Sequence, residues 1–316
     1  MKKIALLYPY FGKLPNTFDF WLKTLTANRR PDIFIFTDQD IHAEETDNLI
    51  IKKMQFSEFV DLVSKNFQIP IELPEPYKIC DYRPMFGEIF SEYLSGYDFW
   101  GYGDLDVVWG NFDTFITDSL LDNFDRISQY GHLSLFRNCK ELNTLYLNEL
   151  NGERPYLYSV TEKDSCTFDE WWNGRGIENI AAQTGIKEYR TLRIADVSRI
   201  YKRRNMCFKF EMNCDTLPPN LDRVFLYENS RLYSIVFEDR KRRISTEEVL
   251  YAHFQKRKLH VPRLNCTDKF WVVPNKIMYG TEAEVLDYLR SDEYEREYKK
   301  EEIAFVKFRE KYPDVF

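Results

Sequence analysis

Two aspartates separated by one apolar residue, Asp104-Leu105-Asp106, close an aromatic run punctuated by glycines, Phe99-Trp100-Gly101-Tyr102-Gly103. On an extended chain residues i and i+2 share a face, so both carboxylates can converge on one ion while Leu105 packs inward. Hard divalent cations such as Mg²⁺ and Mn²⁺ take such oxygen ligands and keep positions open for phosphate oxygens. Late in the chain His253 ends the apolar run Leu250-Tyr251-Ala252 and precedes Lys256-Arg257-Lys258. A neutral imidazole completes the coordination of a borderline cation such as Mn²⁺, and Lys256 and Lys258 can neutralise a diphosphate. The segment Lys78-Ile79-Cys80-Asp81-Tyr82-Arg83-Pro84 supplies further charge: Arg83 to clamp a diphosphate or orient a sugar, Asp81 to hold it, and Lys78 as a second cation. Ion pairing of Asp81 with Lys78 or Arg83 is the competing reading of the same residues. Asp169 and Glu170 stand beside Trp171 and Trp172, where acids can bind hydroxyls, or act on a reacting carbon, next to rings that stack on sugars. A second pair, Asp38-Gln39-Asp40, is a rival metal site that better suits ribose or base contacts.

The elements that must position these groups alternate along the first third. Residues 4–10 and 32–38 are apolar strand patterns, the second ending in acid, and residues 18–28 carry helical spacing. Helices are expected over 56–65 and 84–94, the latter with Pro84 at its first position, and residues 97–102 form the strand that delivers the aspartates. This is βαβ logic, and parallel α/β sheets bind ligands at the carboxyl ends of their strands, where Tyr8-Pro9-Tyr10, Thr37-Asp38 and Asp104-Leu105-Asp106 all fall. Beyond residue 112 the pattern is less regular, with strands expected at 132–137 and 231–237, and a helical tail over 281–311 rich in mixed charge. The expected organisation is one domain over 1–280, with a nucleotide-sugar half to residue 112 and an acceptor half from 113, then a C-terminal helical extension over 281–316.

With 316 residues the chain can bury a substantial core, and a net charge of −7 argues against general nucleic-acid binding. Six scattered cysteines without C-x-x-C pairs indicate neither a disulfide framework nor a zinc knuckle, which fits a reduced cytoplasm. The first apolar run is too short for a signal sequence and reads as a strand, and no run approaches the ~18 apolar residues of a transmembrane helix. Residues 187–209 carry eight Lys or Arg against two acids, and 240–258 seven against two. These stretches could serve the donor diphosphate, a lipid-linked acceptor or the anionic inner face of a plasma membrane, against the plainer reading of solvated faces.

In this order, the strand ends Tyr8-Pro9-Tyr10 and Phe36-Thr37-Asp38, Arg83, Asp104-Leu105-Asp106 and a late His253 resemble a GT-A glycosyltransferase. The run Asp104-Leu105-Asp106-Val107-Val108-Trp109-Gly110-Asn111 is similar to that of retaining galactosyl- and glucosyltransferases of bacterial surface polysaccharide synthesis. The resemblance spans residues 4–258. It implies a Rossmann-like, mainly parallel α/β fold, Mn²⁺ (or Mg²⁺) bound by Asp104, Asp106 and His253, a UDP-sugar donor contacted by Arg83 and Asp104, and a nucleoside lined by Tyr8, Pro9, Tyr10 and Asp38. It also implies transfer of galactose or glucose with retention to a saccharide or lipid-linked saccharide acceptor. The sequence departs from the family after His253, where Phe254-Gln255-Lys256-Arg257-Lys258 stands in place of a glycine followed by Lys-Pro-Trp. A metal-dependent nucleotidyltransferase and a noncatalytic carbohydrate-binding protein on the same fold are the alternatives; the first lacks a glycine-rich phosphate loop.

Overall fold

A computed structural model describes residues 1–43, 46–197, 208–210, 213–215, 220–255 and 259–296. The chain forms two compact units that interleave in sequence: residues 1–14, 28–104 and 116–191 build the first, and 15–27, 105–115 and 192–316 the second.

The first unit is a mixed α/β structure around a mainly parallel sheet, the architecture expected from the alternating pattern. Its described strands run in the order Leu49–Lys53, Pro31–Thr37, Ile4–Pro9, Phe99–Gly103, Leu133–Arg137, Arg126–Tyr130 and Glu188–Tyr189. The first four are parallel, Leu133–Arg137 is antiparallel to both neighbours, and Glu188–Tyr189 runs parallel to Arg126–Tyr130. Near-continuous apolar strands such as Ile4-Ala5-Leu6-Leu7 are fully buried, as a strand covered on both faces must be. Phe59 and Val63 of the helix Phe56–Ser64 join Leu7, Phe34 and Phe36 of the sheet in one core.

Glycines at 101 and 103 let the central strand approach its antiparallel neighbour closely. A Cβ on Gly101 would lie 2.4 Å from the Ser134 carbonyl oxygen, and one on Gly103 2.9 Å from that of His132.

The helix expected from Pro84 does not form as such. A 3₁₀ segment covers Pro76–Met85 and only a single α turn, Phe86–Ile89, follows. Three residues per turn eclipse i and i+3, which puts Lys78 and Asp81 on one face, as their ion pair requires. Gly87, whose Cβ would meet Trp100 and Asn143 at 2.8 Å, is a poor helix former kept for close packing.

The second unit holds two sheets. One has the order Asn213–Asp215, Phe208–Phe210, Ile194–Asp196, Tyr251–His253 and Val107–Trp109. The other is an antiparallel meander of Arg242–Val249, Arg231–Glu238, Leu221–Glu228, Lys269–Val273 and Lys276–Met278, of which the sequence pattern showed only the strand near 231–237. Asn229 and Ser230, at φ 52° and 59°, make the two-residue turn that pairs Glu228 with Arg231.

The tail helix spans Glu282–Arg290, capped by Thr281 and Glu284, and packs Val285, Tyr288 and Leu289 on the meander. It is interrupted at Ser291, whose extended backbone turns its hydroxyl to accept from the Tyr294 amide at 3.2 Å, and residues 292–296 are helical again. The rest of the expected tail, residues 297–316, lies outside the described residues. Among the described residues no helix is long and apolar enough to cross a membrane.

Candidate functional site

Parallel register places the carboxyl ends of Ile4–Pro9, Pro31–Thr37 and Phe99–Gly103 on one edge of the first unit's sheet, with Pro9 opposite Phe36 and Leu6 opposite Gly101. Tyr10, Asp38 and Asp104 therefore leave the sheet along the same rim. Tyr8 is buried, and its phenol is pushed well above the ordinary range by burial first, then by the Asp104 carboxylate, with Arg83 opposing. Pro9 and Tyr10 are half-buried, and the Tyr10 hydroxyl donates to the Lys13 carbonyl at 3.1 Å. Asp38 accepts from the Gly12 amide at 3.0 Å and the Gln39 side chain at 2.8 Å. Burial raises its carboxyl, but these bonds outweigh that and hold it below its usual range. The rival pair is divided: exposed Asp40 is taken by Lys53 at 2.5 Å.

Arg83 is the hub of this rim. Its Nη2 donates to Asp104 Oδ1 at 2.5 Å, and its Nη1 donates to Asp169 Oδ2 at 2.9 Å and to the Gly131 carbonyl at 3.1 Å. The planar fork lets one cation hold two acids. Glu170 reaches the same turn and accepts from the Gly131 amide at 2.9 Å. Asp169 is 3 % exposed; burial pushes its carboxyl up to about 8, opposed by Arg83 and reinforced by Glu170 and Asp104. Asp169 and Glu170 thus meet Arg83 and the 131 turn. Trp171 is exposed, while Trp172 packs against Tyr158 and Phe168.

Lys78 and Asp81, expected to bind a donor, form instead a buried ion pair, at 1 % and 0 % side-chain exposure. Lys78 Nζ donates to Asp81 Oδ2 at 2.8 Å and to the carbonyls of Ser159 at 2.8 Å and Asp164 at 2.9 Å, which uses its three protons. Asp81 also accepts from the amides of Cys166 at 2.8 Å and Phe168 at 2.9 Å. The pair therefore pins the segment whose next residue is Asp169. The same short stretch, Lys78 to Arg83, both anchors that segment and meets its acid.

In the second unit, three strand termini meet. His253 pairs with Val107 on one side and with Asp196 on the other, so Asp106, His253 and Asp196 lie side by side. His253 Nδ1 is 3.0 Å from Asp196 Oδ1, and His253 Nε2 is 3.4 Å from Asp106 Oδ1. The Phe254 amide donates to the Asp106 carbonyl at 2.9 Å, and the Gln255 side chain donates to Asp196 Oδ1 at 2.7 Å. Leu105 is buried beside half-exposed Asp106, as the i, i+2 alternation predicts.

An imidazole nitrogen and a carboxylate oxygen are both donor atoms for a divalent cation, so Asp106 and His253, brought together here, are residues that would hold one. Asp196 and Gln255 escaped sequence reasoning, although Leu192-Arg193-Ile194-Ala195-Asp196 has the same acid-terminated apolar run as Phe36-Thr37-Asp38. Lys256 and Lys258 lie outside the described residues. Four arginines of the basic stretches meet acids: Arg190 pairs with Glu178 and Glu188, Arg240 with Asp222 and Glu295, Arg242 with Glu238, and Arg243 with Glu282.

No curated protein matches the chain. Among solved structures, the apo form of the glycosyltransferase GlyE of Streptococcus pneumoniae TIGR4 aligns at TM-score 0.35 and 14 % identity, over 60 % of this chain and 46 % of that one. A second GlyE structure aligns at 0.26 and 14 %, over 50 % and 43 %. The chain thus spans under half the length of those structures. A family model covers residues 6–280, and the chain belongs to that family, the family of unknown function DUF6625.

Proposed function

We propose that this protein is a metal-dependent glycosyltransferase that moves a hexose, galactose or glucose, from a UDP-sugar to a saccharide acceptor of a bacterial surface glycan, with retention. The observation that carries the reading is His253 with its Nε2 3.4 Å from Asp106, a residue 147 positions away in the chain and one of the two aspartates of the i, i+2 pair. An imidazole nitrogen and a carboxylate oxygen form a mixed donor set that suits Mn²⁺. By the resemblance Asp104, two residues before Asp106, would be the third ligand, and a cation held there would supply Lewis acidity to a leaving diphosphate.

The chain's own residues then divide the work. The rim carrying Tyr8, Pro9, Tyr10 and Asp38 binds the nucleoside, and Arg83 orients Asp104 and Asp169 towards donor and sugar. Asp169 and Glu170 stand by the acceptor. Lys78 and Asp81 serve this arrangement by anchoring Asp169, not by touching the donor.

Titration calorimetry of UDP with and without Mn²⁺ tests the reading. Mn²⁺-dependent UDP binding that is lost in Asp106→Asn and in His253→Ala is expected, together with slow Mn²⁺-dependent hydrolysis of UDP-galactose or UDP-glucose. UDP binding that ignores Mn²⁺ and is unchanged in both variants, or pyrophosphate release from a nucleoside triphosphate, overturns it.

A further inference from the structure

We infer that Asp196 is a positioning residue for His253, holding the hydrogen of Nδ1 so that the Nε2 lone pair is turned to the Asp106 side; its use in metal binding rests on the function proposed above. Asp196 is 2 % exposed and directly opposite His253 on the neighbouring parallel strand. Residues in register on adjacent strands project to the same face, so backbone pairing alone brings the two side chains together. The Val197 amide donates to the His253 carbonyl at 2.8 Å, which ties the two strand ends.

An ionised carboxylate only accepts hydrogen bonds, and a buried one must receive them. Asp196 Oδ1 receives one from Gln255 Nε2 at 2.7 Å and faces His253 Nδ1 at 3.0 Å, so that nitrogen carries a hydrogen. The ring then meets Asp106 Oδ1 through Nε2 at 3.4 Å, longer than a good hydrogen bond. Ligating histidines are held in this way by a carboxylate on their other nitrogen, which fixes tautomer and orientation and raises ligand basicity. Gln255, at φ 45°, bends the chain after the strand and holds Asp196 from its second side.

The test reads the tautomer directly in the metal-free 316-residue chain. Long-range ¹H–¹⁵N correlation of the His253 ring, at the alkaline end of a pH series past the last change in its shifts, is expected to show the hydrogen on Nδ1 in the wild type. Asp196→Leu should move it to Nε2 or to a mixture. Asp196→Asn, which keeps an oxygen acceptor, should retain the Nδ1–H form while Mn²⁺ binding, measured by electron paramagnetic resonance without nucleotide, weakens about 10–100-fold. A wild-type ring protonated on Nε2, or a tautomer unchanged in Asp196→Leu, overturns the inference. The expected tautomers with no Mn²⁺ binding even in the wild type uphold the positioning role and overturn the metal reading instead.

Discussion

Replacing Asp81 by asparagine removes one charge from a pair with almost no access to water. Oδ2 of Asp81 receives Lys78 Nζ and the Cys166 amide, and Oδ1 receives the Phe168 amide. An asparagine offers one oxygen, so whichever way its amide is turned, its NH₂ faces a donor. The Lys78 ammonium is left in the interior with two carbonyls and no counter-charge. Breaking a buried pair from one side costs about 3–5 kcal/mol. A cooperative unit of ~150–250 residues shifts by ~2–4 °C per kcal/mol, so the melting temperature should fall by about 6–20 °C.

Differential scanning calorimetry measures the drop, and Arg154→Ala serves as the control, because its pair with Glu149 is 54 % and 55 % exposed and should hardly move the transition. Amide hydrogen exchange at Cys166 and Phe168 should accelerate in Asp81→Asn. A melting point within about 2 °C of wild type, with both amides still protected, would refute the anchoring role.

Three further perturbations follow from the same geometry. Because the Asp169 carboxyl is raised to about 8 in the folded chain from an ordinary 3.8, its contribution to stability is full below the ordinary value and is lost as pH rises through about 8; Asp169→Asn should flatten that limb of a plot of melting temperature against pH, and an unchanged slope refutes the assignment. Gly101→Ala should destabilise by about 1–3 kcal/mol in urea unfolding, since its methyl meets a backbone oxygen in the sheet and not a movable side-chain end; a neutral effect would mean the strands separate freely. Trp100→Ala should cost about 3–5 kcal/mol in the same assay, because the indole stacks on Phe136 at 4.8 Å and donates to Asn143 at 2.7 Å; a loss below about 1 kcal/mol contradicts that packing.

Local periodicity was enough to read strands over 4–10, 32–38 and 97–102, which the structure forms as Ile4–Pro9, Pro31–Thr37 and Phe99–Gly103, the helices beginning at Phe18 and Phe56, and the alternation that buries Leu105 between two acids. Those features depend on neighbours a few residues apart, and the chain carries them wherever it goes. Two readings of Lys78 and Asp81 were equally consistent with their spacing, because a charged residue looks the same in sequence whether it meets a ligand or a buried counter-charge. Only packing decided between them, by bringing the carbonyls of Ser159 and Asp164 to Lys78.

Packing also replaced the helix expected from Pro84 with a 3₁₀ segment, and broke the tail at Ser291, where the backbone turns extended before residues 292–296 resume the helix. The Asp196–His253 contact joins residues 57 apart through the pairing of two three-residue strands. Such short strands have too little pattern to announce their partners. Residue types and spacing therefore determined which groups could do chemistry here, while long-range strand pairing and desolvation, which no local window contains, decided which of them meet.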